Sequence, residues 1–473
     1  MSNFVFYDFE TSSSNKFWGQ IIQIGAILAN DNLEELDRYE ARCRLSPGII
    51  PEAMSLIVNK SSPKILKTSN LSHYQMIRQF VGVLQRWGKA TYIGFNSIDF
   101  DEEFLRSTLF KTLEYPYLTI TNGNTRGDLL GLARAANLYY PDTIKNPISE
   151  KGNAIYKLDQ IAPLNGIEHG DAHSAIGDVV ATLGIAKIIH DKAPNVWKAS
   201  QLTTDKNNSL EIIKKELYFC TNEYFYGKSR PFVQTFVCQH PKYQWAKCFD
   251  LKHDPSIYLK MSIPALKDAM AKNPKILRTV RHNKHPVIMN PSYGDFFDEY
   301  KKIGAYKLSE RAKMIKNNNK FTENVTAILQ EEAEEKEASK SQEDIYEEES
   351  IYTNFISTQD NKIMPLFHEA EWKKKLSVLD KFKDKRLHYF GRKLIYEEKP
   401  EILPKSDFNE IHRNLAKRLL STNNEKWNTI PRTYSEIDTL REKFEREGKG
   451  ERLPILNEIN AYVEELEKIY SSV

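Results

Sequence analysis

FVFYDFET, residues 4–11, is the stretch on which the reading of this chain turns. Side chains alternate faces along a strand, so residues two apart share a face. Asp8 and Glu10 therefore emerge side by side where an otherwise apolar strand ends. Two like charges that close repel and drive a pKa upward unless a cation lies between them. The pair points to metal ligation, although D-x-E after a strand also serves as an ordinary solvated turn. More oxygen ligands elsewhere in the chain are needed to choose between the two.

The chain has 473 residues, 40% of them hydrophobic and 11% aromatic, which is enough for two or three domains with real cores. A net charge of +3 is only mildly basic, so any nucleic-acid surface has to be local. Cys43, Cys220, Cys238 and Cys248 are scattered without a C-x-x-C pair. That argues against a zinc module or a disulfide framework and fits a reducing compartment. The chain opens on a strand rather than on a basic and then apolar leader, and the longest apolar run, 21–29, is short and holds Gln23. A soluble, cytoplasmic protein without membrane partners is expected.

Strand patterns at 4–7, 21–29, 36–43 and 91–95 alternate with helical patterns at 72–87, 100–110, 128–136 and 173–190, which is an α/β reading for 1–193. The segment 194–340 is expected to be β-rich, with strands at 231–239, 256–262 and 276–289. From 331 to 350 there are ten acidic residues against two lysines, a run that repels itself and predicts a solvated helix or linker. The remainder, 341–473, has apolar residues at helical spacing, as in 406–421 and 453–472, and reads as all-α.

Two further acidic clusters answer the opening question. In YIGFNSIDFDEEFLR, 92–106, a strand feeds a loop and then a helix that starts close to Asp101. Acids in a first turn also simply favour the helix dipole. In NGIEHGDAHSAIGDVVATLGIAKII, 165–189, Asp178 sits inside a helical apolar pattern formed by Ile176, Val179, Val180 and Leu183. A charge placed there needs a partner. His173 precedes it by five positions. Each cluster has an ordinary explanation, but the three together, in this order, point to one carboxylate site.

This set of motifs resembles the DEDDh exonucleases, the proofreading-exonuclease superfamily with a ribonuclease H-like fold. Within it the chain is most similar to the bacterial exonuclease I family, through YDFET, GFNSIDFDEE, NTRGDLL, NGIEH and AHSAIGDVVAT. The similarity thins but continues through HNKHPVI (282–288), IYTNF (351–355) and DKRLHYFGRK (384–393). The resemblance implies a ribonuclease H-like α/β exonuclease domain (1–193), an SH3-like β domain (194–340) and a helical C-terminal domain (341–473). It implies four carboxylate ligands, Asp8, Glu10, Asp101 and Asp178, for two Mg²⁺ ions, with Mn²⁺ able to substitute. It also implies His173 as general base, with His169 as its rival.

The activity so implied is 3′→5′ degradation of single-stranded DNA to 5′-mononucleotides in DNA repair or recombination, by a monomer. The competing readings are a DEDDh exoribonuclease, such as an oligoribonuclease or RNase T-like trimmer, a polymerase proofreading subunit, and a non-catalytic single-strand clamp. The long β-plus-helical extension argues against the short single-domain classes, and the presence of all five site residues argues against the clamp. Glu10, Arg106, Tyr117, Arg126, Arg134 and Lys157 are expected to touch substrate. Lys157 stands where the family has an arginine, which keeps the charge and loses the bidentate fork. A docking partner is also implied, the acidic tail of single-stranded DNA-binding protein, with the basic stretches 373–375 and 381–386 as candidate contacts.

Overall fold

The computed structural model describes residues 3–168, 174–339 and 345–472. Its first unit is built on a five-stranded mixed sheet in the order β3-β2-β1-β4-β5. The strands are β1 (Asn3–Thr11), β2 (Ile21–Ala29), β3 (Glu35–Arg42), β4 (Ala90–Gly94) and β5 (Thr125–Asp128). β1 pairs antiparallel with β2 and parallel with β4. The alternation expected of β1 is clean. Phe4 and Phe6 pack into one apolar layer with the helices Leu129–Tyr139 and Ala175–Lys192, whereas Val5, Tyr7 and Phe9 pack into the other with His73–Trp87 and Asp101–Lys111. Asp8 and Glu10 continue the Phe4–Phe6 face beyond the point where apolar cover ends.

The middle unit contains a four-stranded antiparallel sheet, β6 (Phe219–Phe225), β7 (Lys228–Gln239), β8 (Ala246–Asp250) and β9 (Leu277–Val280). Only β7 and the first part of the expected 276–289 strand agree with the sequence reading; β5, β6 and β8 were not anticipated. The expected strand at 256–262 is absent. Asp254 accepts from the Ser256 N–H at 3.0 Å, and Pro255 opens a short 3₁₀ turn, so local turn chemistry overrides the apolar alternation. The ladder stops at Val280 because a turn follows and His285 adopts φ +51°, which no strand accommodates.

The acidic run is divided. Its first part lies on the helix Asn319–Ala338, where Glu331 and Glu335 pair with Lys267, as an exposed face should. Glu348 breaks the solvated expectation. It is 3% exposed and receives Arg418 at 2.9 Å, the Tyr389 hydroxyl at 3.1 Å and Lys393 at 3.6 Å. A buried carboxylate survives because these donors replace its water.

The C-terminal unit is helical, ending in Ile430–Arg446 and Leu453–Tyr470. It shares a core with the first unit, in which Ile22, Leu56 and Phe110 meet Phe390 and Leu456. The loop after β1 is held from this side. Trp18 lies 4.7 Å from Trp427, with the Arg418 guanidinium over both rings. No helix among the described residues is long and apolar enough to cross a membrane.

Candidate active site

Asp8, Glu10 and Asp178 each present a carboxylate oxygen within 4.8 Å of the others. Three elements bring them together. β1 sets Asp8 and Glu10 on one face by strand alternation. Asp8 pairs with Gly25 of β2, and that glycine admits the start of the helix Ala175–Lys192 against the sheet. Ser174 caps this helix by accepting from the Gly177 N–H at 3.2 Å, which fixes Asp178 in the first turn.

Asp101 stands beside this trio rather than within it. It is the first residue of the helix Asp101–Lys111, and its Oδ1 accepts from the Phe9 N–H at 3.1 Å. β4 pairs with β1 only as far as Phe6, so this carboxylate takes a strand N–H that the sheet leaves open. Three consecutive acids on this helix have three fates, because successive residues turn by about 100°. Asp101 faces the cluster, Glu102 points inward, and Glu103 faces the C-terminal unit, accepting from Lys16 at 2.9 Å and the Tyr352 hydroxyl at 2.7 Å. The macrodipole accounts for none of these placements by itself.

The electrostatics fit a cation. Burial is the main cause that raises the Asp8 carboxyl well above the usual range, with Asp101, Asp178 and Glu10 adding to it. Burial and then Asp178 and Asp101 push Glu10 up to about 8. Asp101 rises to about 8, mainly by burial, against the relief supplied by the Phe9 N–H. An all-oxygen, anionic, partly buried donor set suits a hard divalent ion such as magnesium.

His173 and His169 lie outside the described residues. Among the substrate candidates, Arg106 and Arg126 are buried on Glu102, which is fully buried. Glu102 receives Arg106 at 2.8 Å, Arg126 at 3.1 Å and the Thr119 hydroxyl at 2.6 Å on one oxygen, and the Tyr7 hydroxyl at 3.2 Å on the other. Their charge is thus directed into the core rather than toward the cleft. The Arg134 guanidinium lies over the Tyr224 ring, 3.8 Å from its centre. Tyr117 is partly exposed and neighbours Phe355 of the IYTNF segment at 6.1 Å. Lys157 is exposed at the start of the helix Leu158–Leu164. Of the basic stretches proposed for docking, Lys375 is buried on the Phe367 carbonyl, and Arg386 is tied to Asp384 and the Ser350 carbonyl.

Sequence reasoning missed Gly25 and Gln23, both on β2 opposite the two acids of β1. The signal was present, since Gln23 interrupts an otherwise apolar strand. It also missed Asp128, which caps the helix Leu129–Tyr139 and accepts from the Asn96 and Ile98 N–H groups at 3.1 and 3.2 Å. The Asp128 N–H donates to His285 Nδ1 at 2.9 Å, which makes Nε2 the protonated nitrogen, donating to the Ser200 carbonyl at 3.0 Å. Burial holds this imidazole neutral, with its pKa lowered to about 4. The HNKHPVI segment of the middle unit is thereby plugged into the first unit at the end of β5, where Arg126 also donates to the Asn283 carbonyl at 3.0 Å.

The sheet order and the carboxylate cluster at the end of β1 give a mixed α/β framework with an acidic site at one strand end. Along most of its length the chain is similar to exonuclease I proteins. Residues 346–466 match the exonuclease I C-terminal domain family. Exodeoxyribonuclease I of Escherichia coli (strain K12) is 24% identical over 439 residues, 88% of this chain and 89% of that protein. Exodeoxyribonuclease I of Buchnera aphidicola subsp. Acyrthosiphon pisum (strain APS) is 29% identical over 213 residues, 45% of this chain and 51% of that protein, so the match spans about half of that relative's length. The crystal structure of E. coli exonuclease I in complex with a dA16 oligonucleotide superposes with a TM-score of 0.81 at 19% identity, covering 98% of this chain and 100% of that one. A structure of SSB/exonuclease I in complex with an inhibitor gives 0.79 at 19% identity, with the same coverage.

Proposed function

We propose that the protein is a magnesium-dependent 3′→5′ exodeoxyribonuclease that degrades single-stranded DNA to 5′-mononucleotides. The observation that carries this reading is the convergence of Asp8, Glu10 and Asp178 within 4.8 Å, with Asp101 beside them. The four carboxylates would hold the ions, which when bound supply charge neutralisation at the phosphate and a lowered pKa for water. The chain's own part is to fix those oxygens on β1 and two helix first turns, so that little reorganisation accompanies reaction. His173 takes the proton from the attacking water on an imidazole nitrogen. Lys157 neutralises a backbone phosphate, and Tyr117, with Phe355 next to it, offers a face on which a base stacks.

The division near residues 193 and 340 and the SH3-like character of the middle unit belong to the same proposal, supported by the antiparallel sheet β6–β9. So do a monomeric state, a cytoplasmic setting, which four free cysteines favour, and an SSB-type partner. The exposed Lys373, Lys374, Lys381 and Lys383 remain available to such a partner.

The test uses matched single strands of DNA and RNA, a blunt duplex and a circle, each with Mg²⁺ and with EDTA. Release of 5′-mononucleotides from the free 3′ end of the DNA strand is expected. Preference for RNA, or release from the circle, would overturn the reading.

A further inference from the structure

The row that holds Glu10 continues across the sheet. Glu10 pairs with Gln23 of β2, and Gln23 pairs with Arg42 of β3. All three project from the carboxylate face, because partners directly opposite in a ladder share a side. Gln23 is buried between the other two. Its amide nitrogen donates to Glu40 at 2.9 Å, while its oxygen receives Arg42 Nη2 at a long 3.4 Å. That is a weak tie for a group with five N–H donors. Arg42 Nε is buried and has no hydrogen-bond partner among the described residues.

The contrast with Arg106 and Arg126 is plain. Those two guanidiniums pair with Glu102 at 2.8 and 3.1 Å, although Arg106 Nε has no partner either, whereas Arg42 stands on the face of the acids with only the long bond to Gln23. An acidic cluster repels a polyanion, and a cation fixed on the same face offsets that repulsion where the strand must come closest. A planar fork matches two oxygens of one phosphate, a geometry an ammonium group cannot reproduce.

We propose that Arg42 is a phosphate-binding residue that grips the substrate strand beside Glu10. The role rests on the nuclease reading given above. The plainer alternative makes Arg42 only a charge partner of Glu10, whose carboxyl it draws downward against burial. The two differ in what removal of the guanidinium disturbs: the polyanion or the metal.

Full-length wild type, Arg42→Gln and Arg42→Lys are titrated with a labelled oligothymidylate in EDTA over a range of salt, and separately with Mg²⁺ in the absence of DNA. For Arg42→Gln, DNA binding is expected to weaken by roughly tenfold, as for loss of a hydrogen bond to a charged group. The slope of log affinity against log salt should fall by about 0.7, the share of one single-strand phosphate. Arg42→Lys should restore the slope but only part of the affinity, and Mg²⁺ affinity should be unchanged in both variants. Wild-type DNA affinity and slope in Arg42→Gln would sink the proposal while leaving the nuclease reading intact, and an altered Mg²⁺ affinity beside them would make Arg42 a charge partner. A wild-type protein that neither binds nor degrades the strand would remove both.

Discussion

Gly25 faces Asp8 across the β1–β2 ladder, and the place its Cβ would occupy is already taken. That point lies 2.5 Å from the Ala175 carbonyl carbon and 2.6 Å from its oxygen. The obstacle is backbone, so it cannot rotate away. Any side chain at 25 lifts the helix that carries Asp178 off the strand that carries Asp8 and Glu10. Gly25→Ala is therefore expected to lose about 1–3 kcal/mol of stability, the usual cost of overpacking. Its Mg²⁺ affinity and exonuclease rate should fall further than that loss alone implies. Thermal melting beside Mg²⁺ calorimetry checks this, and wild-type metal affinity in the variant would contradict it.

The carboxylate cluster sets a pH dependence. Glu10 rises to about 8 in the folded, metal-free chain, from about 4.3 when unfolded. Between those values the folded state holds the extra proton, so this group's stabilising effect is lost as pH rises from about 4 to 8. Glu10→Gln should accordingly gain stability over wild type toward pH 8 and show no such gain near pH 4. Mg²⁺ binding to wild type at pH 7 should release protons, seen as a dependence of calorimetric heat on the ionisation enthalpy of the buffer. Heats independent of buffer would refute the coupling.

Removal of Glu102 should strand two buried guanidiniums. Glu102→Ala is expected to destabilise the protein by about 3–5 kcal/mol, the range for breaking a buried ion pair. Arg126→Ala should also lower the melting temperature, with single-strand affinity nearly unchanged once the protein is kept folded at low temperature. A large loss of DNA affinity in a stably folded Arg126→Ala would instead place that arginine on the substrate.

His173→Ala should reduce turnover by roughly 10²–10⁴-fold, the range for one general base, and leave DNA binding close to wild type. The acid limb of the wild-type rate profile should flatten in this variant. His169→Ala is the control and should retain most activity. The reverse pattern would move the base to His169.

Much of the site was legible because it depends on local rules. Strand alternation puts Asp8 beside Glu10, and the apolar period around Asp178 marks a helix with one polar intrusion. What was not legible depends on distant partners. The Glu102–Arg106 pair has helical i,i+4 spacing, but nothing near Arg126 announces that it too ends on Glu102, since it arrives from β5 and the other donors come from Tyr7 and Thr119. The segment 256–262 shows the converse failure: its alternation suits a strand, but an aspartate and a proline just ahead of it settle the backbone first. Glu348 was read as solvated for its neighbours' sake, and Arg418 and Lys393, far along the chain, decide otherwise.

The clasp of Trp18 by Trp427 and Arg418 gives remote lesions the appearance of local ones. The loop that follows β1 is braced by side chains from the last quarter of the chain. A nonsense mutation or a proteolytic nick there would unbrace the strand end that presents Asp8 and Glu10. In a genetic screen such an allele would score with the catalytic class, and a mutational map drawn along the linear sequence would show two hot regions for a single defect.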